Sequence, residues 1–218
     1  MKNLNLISAL FLQLVFSGFA SAQPQGFFRA NVEILPESRI ELRGTTNINR
    51  FNCQALQLAP GISAWVKHSP DENALYLQNS TMYVQVNSLE CGQEAINRDL
   101  RKTLNATEHP EIVIEITRIH FERTADEFPE QVIVNAQMQI AGVENPVCIS
   151  LASEMQASKG IYQIQGEHSI KLTEFGIDPP RTFFGLIKVE DKIVISFDLL
   201  LKQHTDLGHL REALKNRT

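Results

Sequence analysis

Alternation with a period of two runs through most of the chain, and it admits few folds. In Glu111–Ile119, one face carries Ile112, Ile114 and Ile116 while the other carries Glu111, Glu115 and Thr117. In Gln131–Ile140 the apolar set is Val132, Val134, Ala136, Met138 and Ile140, opposed by Gln131, Asn135, Gln137 and Gln139. Val147, Ile149 and Leu151 oppose Cys148, Ser150 and Ala152, and Ile193, Ile195, Phe197, Leu199 and Leu201 form one unbroken stripe. Strict alternation over such lengths marks half-buried strands. Weaker strands are expected over 39–44, 51–58, 62–67, 75–78 and 82–88.

Turn chemistry separates the runs. Ala141-Gly142, followed by Pro146, closes one hairpin; Lys159-Gly160 closes the next, and Glu190-Asp191-Lys192 is expected to connect the last two strands. Consecutive strands with short turns make an antiparallel meander. A sheet that is apolar on one face buries itself best by closing, which also removes its exposed edges. Two segments break the alternation. Residues 93–104 place Ile96, Leu100 and Leu104 at four-residue spacing among charges, an amphipathic helix ended by His109-Pro110. Leu207, Leu210 and Leu214 outline a short C-terminal surface helix.

Residues 1–22 have the parts of a secretory signal: Lys2, an apolar run from Leu4 to Phe19, and Ala20-Ser21-Ala22 as the cleavage pattern. The run is interrupted by Ser8, Gln13 and Ser17 and is short of the ~20 apolar residues of a membrane span. Cleavage after Ala22 and release into the periplasm are expected, without stable membrane insertion. Removing the signal takes the formal charge from −5 to −6, with 19 basic against 25 acidic residues. A mildly acidic domain argues against nucleic-acid phosphates as partners and against docking driven by bulk charge onto anionic headgroups.

Of three cysteines, an oxidising compartment pairs two. Cys53–Cys91 is the favoured bridge, since Cys53 lies on an early strand and Cys91 just before the helix; three free thiols is the alternative, and Cys148 is left over. No zinc spacing is present. The six histidines are dispersed without an HxH or HExxH pattern, and no GxSxG, P-loop or dinucleotide fingerprint occurs. The expected inner face has no carboxylate pair for acid–base work. His168 alternates with Tyr162, Ile164 and Ile170 and so points inward, where a structural, hydrogen-bonded histidine is the ordinary reading. Trp65 is expected on the outer face. The chain reads as a binding protein without an enzyme's constellation, metal or cofactor.

Several motifs resemble the YceI-like family. They are Leu172–Pro180 with Phe175, Gly176, Pro179 and Pro180; Phe183-Phe184-Gly185-Leu186; Lys188–Asp191; Ser38–Phe51 with Gly44 and Phe51; Asn87–Gly92 before Ile96, Asn97 and Leu100; Leu104–Ile112; and Ile140–Val143. Many relatives have Met where this chain has Ile96. The resemblance covers roughly 38–201 and implies an all-β, eight-stranded antiparallel lipocalin-like barrel with one helix near its mouth. Some relatives hold an isoprenoid tail. An eight-stranded barrel has room for side chains or one small ligand. The division that follows is a signal at 1–22, an N-terminal extension at 23–37, the barrel domain at 38–202 and a tail at 203–218.

A lumen for such a guest needs adaptable apolar walls. The expected wall is Ile114, Ile116, Val134, Ala136, Met138, Ile149, Leu151, Ile195 and Phe197, with Met138 able to repack and Ala136 leaving room. Phe175 and Phe184, with Phe183, form a stiff aromatic loop that either gates the mouth or plugs one end. The guest would be an amphipathic lipid, an isoprenoid by resemblance. The competing expectation is a filled barrel acting through its surface as an envelope interaction protein. Pairing of two copies into a homodimer stays open.

Overall fold

The computed structural model describes residues 26–123, 129–152, 156–158, 160–182 and 186–203. These residues form an all-β fold with fourteen strand segments: β1 (Phe28–Ile34), β2 (Arg39–Thr46), β3 (Arg50–Ala55), β4 (Gly61–Ser69), β5 (Ala74–Gln78), β6 (Thr81–Gln85), β7 (Leu89–Glu90), β8 (Glu111–Arg123), β9 (Pro129–Ile140), β10 (Val143–Ala152), β11 (Gln156–Ser158), β12 (Ile161–Lys171), β13 (Arg181–Thr182) and β14 (Ile187–Gln203). One α-helix, α1 (Glu94–Thr103), lies between β7 and β8, and short 3-10 turns span Val86–Ser88 and Leu172–Phe175. Every printed strand pair is antiparallel.

Strand β14 organises the wall. Along one edge it pairs with β12 from Lys192 to Lys202. Along the other it pairs with β2 at Val189–Asp198 and then with β1 at Leu201–Gln203. From there the sheet reaches β8 by two routes. At one level it runs β1–β4–β5–β8. At the other it runs β2–β3, crosses by a Leu58–Val84 bridge to β6, and so reaches β8. Beyond β8 lie β9 and β10. β10 and β12 pack side by side, with no ladder between them among the described residues. The eight-strand count and full closure expected from resemblance therefore give way to fourteen segments in a barrel-like wall with one unladdered seam. The long runs are divided by bends and bulges, and Pro146, which has no N–H to donate, sits on β10 at that seam, the edge position a strand proline tolerates.

Other expectations differ locally. Residues 190–192 do not turn: β14 passes through them, and the strain of the change appears as a register shift against β2 between Val189 and Ile193. The segment read as an N-terminal extension supplies β1, where Phe28, Ala30, Val32 and Ile34 alternate with Arg29, Asn31 and Glu33. The expected C-terminal helix at 204–218 and the signal at 1–22 lie outside the described residues.

Ala141-Gly142 is the β9–β10 turn, with both residues at positive φ (50° and 84°). The His109 ring lies over Gly142, within 2.5 Å of where a Cβ would stand, so this turn also fixes the segment entering β8. Gly142→Ala should destabilise the fold by roughly 1–2 kcal/mol from the left-handed backbone penalty, with the His109 contact adding to it. A urea-unfolding midpoint equal to wild type would contradict this account of the turn.

Candidate functional site

Part of the interior is filled: Val86, Phe175 and Ile177 are buried outside the cavity lining, in one cluster with Leu89, Leu104, Ile112, Ile140, Ile170, Leu172 and Ile193, which also face the cavity. Phe175 is 2 % exposed and lies in this cluster, outside the cavity lining. It occupies the plug position. Phe183 and Phe184 lie outside the described residues.

Elsewhere the inward stripes surround a cavity of about 1020 Å³. That is at the upper end of the ~300–1,000 Å³ usual for small-molecule sites. All nine expected wall residues line it: Ile114 and Ile116 from β8, Val134, Ala136 and Met138 from β9, Ile149 and Leu151 from β10, Ile195 and Phe197 from β14. Six of these, Ile114, Ile116, Val134, Ile149, Ile195 and Phe197, are only half-buried although they face inward. A close-packed core leaves few voids larger than a water molecule. Half-exposed inward isoleucines mean that the centre is not occupied by the protein's own side chains.

Residues the sequence reading did not place in the wall also contribute. Ala30, Val32 and Ile34 come from β1, and Ile62, Ala64, Val66 and His68 from β4. Ile119 and Phe121 line the cavity because the β8–β9 register shifts between Ile116 and Arg118, moving the inward face from even to odd numbers. Thr117, at the shift, donates its hydroxyl to the Asn135 carbonyl at 3.1 Å. The signal was present in the sequence as Ile119 falling out of phase with Ile116. Gly166 makes room for two wall side chains by having none of its own: a Cβ there would stand 2.6 Å from the Phe197 ring and 2.8 Å from Leu151.

Helix α1 covers part of one mouth. Ile96 and Leu100 line the cavity while Leu104 is buried, so the narrow apolar stripe faces the lumen. Its N-terminal side is fixed by the Cys53–Cys91 disulfide, which joins β3 to the loop before the helix. Asn97, 2 % exposed, accepts from the Cys91 N–H at 2.7 Å and donates to the Glu90 carboxylate at 2.7 and 2.8 Å. With the Gly92 N–H, it holds Glu90 below the usual carboxylate range. Arg101 and Lys102 complement the dipole in the last turn. Cys148 is a free, exposed thiol on the outer face of β10. Trp65 is half-buried and outside the lining, as its parity predicts.

The ionisable lining groups are Arg50, His68, Asp99, Tyr162 and His168, set on four elements, with Tyr162 and His168 both on β12. Among the described residues no group of three potential metal ligands is present. Burial holds His168 below the usual imidazole range, against the opposing pull of the Glu174 carboxylate. What the arrangement offers is an apolar container with a few dispersed hydrogen-bonding groups.

Fold and cavity together define a barrel-like, all-β wall around an apolar cavity. The YceI-like domain model matches residues 61–201, and the chain belongs to this family. Its fold is similar to that of BcnA from Burkholderia cenocepacia (17 % identity, TM-score 0.57, 75 % of this chain and 96 % of that one). It is also similar to a polyisoprenoid binding domain from Saccharophagus degradans (10 %, TM-score 0.52, 78 % and 97 %). A third likeness is to the YCEI protein of Campylobacter jejuni (12 %, TM-score 0.50, 71 % and 85 %). No curated protein matches the sequence. At these identities the likeness is one of fold.

Because the His168 pKa is depressed below 6.5, the unfolded chain takes up this proton more readily than the folded one. Its contribution to stability is whole above pH 6.5 and lost as pH falls below that value. Acidification from about pH 7.5 to about pH 5 should lower the urea midpoint of wild type more than that of His168→Leu. Equal drops in the two proteins would show that His168 is not the group responsible.

Proposed function

We propose that the protein binds an amphipathic lipid, an isoprenoid, in this cavity and acts as an exported carrier or sequestering protein of the periplasm. The observation that carries the reading is the set of inward-facing but half-exposed aliphatic residues around about 1020 Å³. Burying each methylene of a prenyl tail in such a space is worth about 0.8 kcal/mol, so affinity needs no charged clamp. Family membership and the polyisoprenoid binding domain among its structural neighbours support the same reading. The filled-barrel alternative accounts for the cluster around Phe175 but leaves the rest of the interior unexplained. Binding rather than catalysis is favoured because the ionisable lining groups are few and are dispersed over four elements. The disulfide and the N-terminal signal pattern support an oxidising, extracytoplasmic location. Among the described residues, no helix is long and apolar enough to cross a membrane.

Purified without detergent, the protein should release polyprenyl compounds into organic solvent, detected by mass spectrometry. Ala136→Phe should weaken binding of geranylgeraniol roughly tenfold, the cost of losing about two methylenes' worth of burial. An empty wild-type extract together with no geranylgeraniol binding would reject the carrier reading. For export, N-terminal sequencing of protein recovered from the periplasmic fraction should begin at Gln23. Retention of Met1 in the cytoplasm would reject that location.

A further inference from the structure

The cavity is not equally closed around its lining. At the α1 end, six lining residues are themselves solvent-exposed: Ile48, Asn49, Arg50, Gln93, Ala95 and Asp99. This is a mouth, and its rim is built in an unusual way. Ile48, at the tip of the β2–β3 hairpin, is 69 % exposed, and Leu186, entering β14, is 74 % exposed. The two turns that carry them are joined by Asn47. Its side-chain amide donates to the Leu186 carbonyl at 2.9 Å and accepts from the Lys188 N–H at 2.8 Å, while its backbone N–H donates to the Lys188 carbonyl at 3.0 Å. Within the hairpin, the Asn49 N–H donates to the Thr46 hydroxyl at 2.8 Å. Two largely exposed aliphatic side chains are thus carried on one hydrogen-bonded unit.

Three cations flank this pair: Arg50 beside Ile48, and Lys188 with its cross-strand partner Arg181, all exposed. On the helix side of the mouth the rim carries Asp99. An apolar tip continuous with an apolar lumen and ringed by cations matches the interfacial zone of a bilayer, where aliphatic groups enter the acyl boundary and basic groups meet phosphates. The chain's net acidity opposes general adhesion, so the contact would be confined to this corner.

We propose that the Ile48–Leu186 rim is a membrane-docking surface which places the cavity mouth against a phospholipid bilayer, so that the guest passes between lumen and membrane without crossing bulk water. The proposal rests on the lipid-binding reading for its purpose, but docking itself is measurable with empty vesicles. Flotation with phosphatidylethanolamine–phosphatidylglycerol vesicles tests the surface alone. Wild type should float, and the double variant Ile48→Ser, Leu186→Ser should lose at least about tenfold in partitioning, as expected when two aliphatic side chains no longer leave water. Arg50→Glu with Lys188→Glu should give a smaller loss that vanishes on neutral phosphatidylcholine vesicles.

Geranylgeraniol delivered from cyclodextrin tests the lumen alone, and the single variant Leu186→Ser, at a residue outside the cavity lining, should bind it as wild type does. Transfer of geranylgeraniol between vesicles should accelerate with acceptor-vesicle concentration for wild type and slow by about tenfold for the double variant. Equal flotation of wild type and double variant, or attachment only to protein-bearing membranes, would overturn the docking surface while leaving lumen binding untouched. Failure of cyclodextrin-delivered binding in wild type would instead strike the carrier reading, with flotation still deciding the surface.

Discussion

The fold depends on the seventeen-residue strand β14 and on the parity of its side chains. Because β12 occupies one of its edges, and β2 followed by β1 the other, β14 joins both levels of the wall, as β8 does on the far side through β5 and β6. Its inward stripe, Ile193 through Leu201, lines the cavity along most of that length. A one-residue slip would turn every one of these side chains to the outside. The register shift between Val189 and Ile193 is absorbed at the end nearest the mouth. Downstream of it the register with β2 runs unbroken from Ile193 to Asp198, so the container keeps one continuous apolar face.

The interior is divided rather than uniformly filled or empty. Phe175, Leu172 and Ile177, held by the short turn before β13, are buried with Val86, Leu89 and Leu104 and make a solid base. Thr173 fixes that turn: its N–H and hydroxyl donate to the Asp191 carboxylate at 2.9 and 2.8 Å, keeping Asp191 below its usual range. Small residues, Ala30, Ala64 and Ala136, leave room in the rest of the wall. Stability is supplied by this packed cluster and by the ladders, so the remaining lumen need not be filled.

Much of this was readable from alternation alone. The nine wall positions from Ile114 to Phe197 share the cavity because period-two parity survives folding in long, regular strands. Helix α1 was readable from its four-residue spacing, and the Cys53–Cys91 pair from compartment chemistry and the positions of the two residues. What parity does not encode is where it breaks. The bulge at Thr117 brings Ile119 and Phe121 inward, and Glu190–Lys192, with a turn's composition, continues as strand because β12 and β2 pair on either side of it. Strand β1 escaped notice because a short alternating run flanked by Pro24 and Pro36 carries little local signal, and only its partners β4 and β14 define it. The hairpin signature Gly44…Phe51 gains a physical reason as well: the two residues face each other in register, and the phenyl ring lies over the glycine where a Cβ would collide.

The central claim is that the space bounded by Ala136, Ile149, Ile195 and Phe197 belongs to a guest. Crystallography of protein purified without detergent examines that space directly. The account predicts elongated density with regularly spaced methyl branches alongside these residues, with the wall side chains splayed around it. The same side chains meeting one another across a collapsed, dry interior would contradict it.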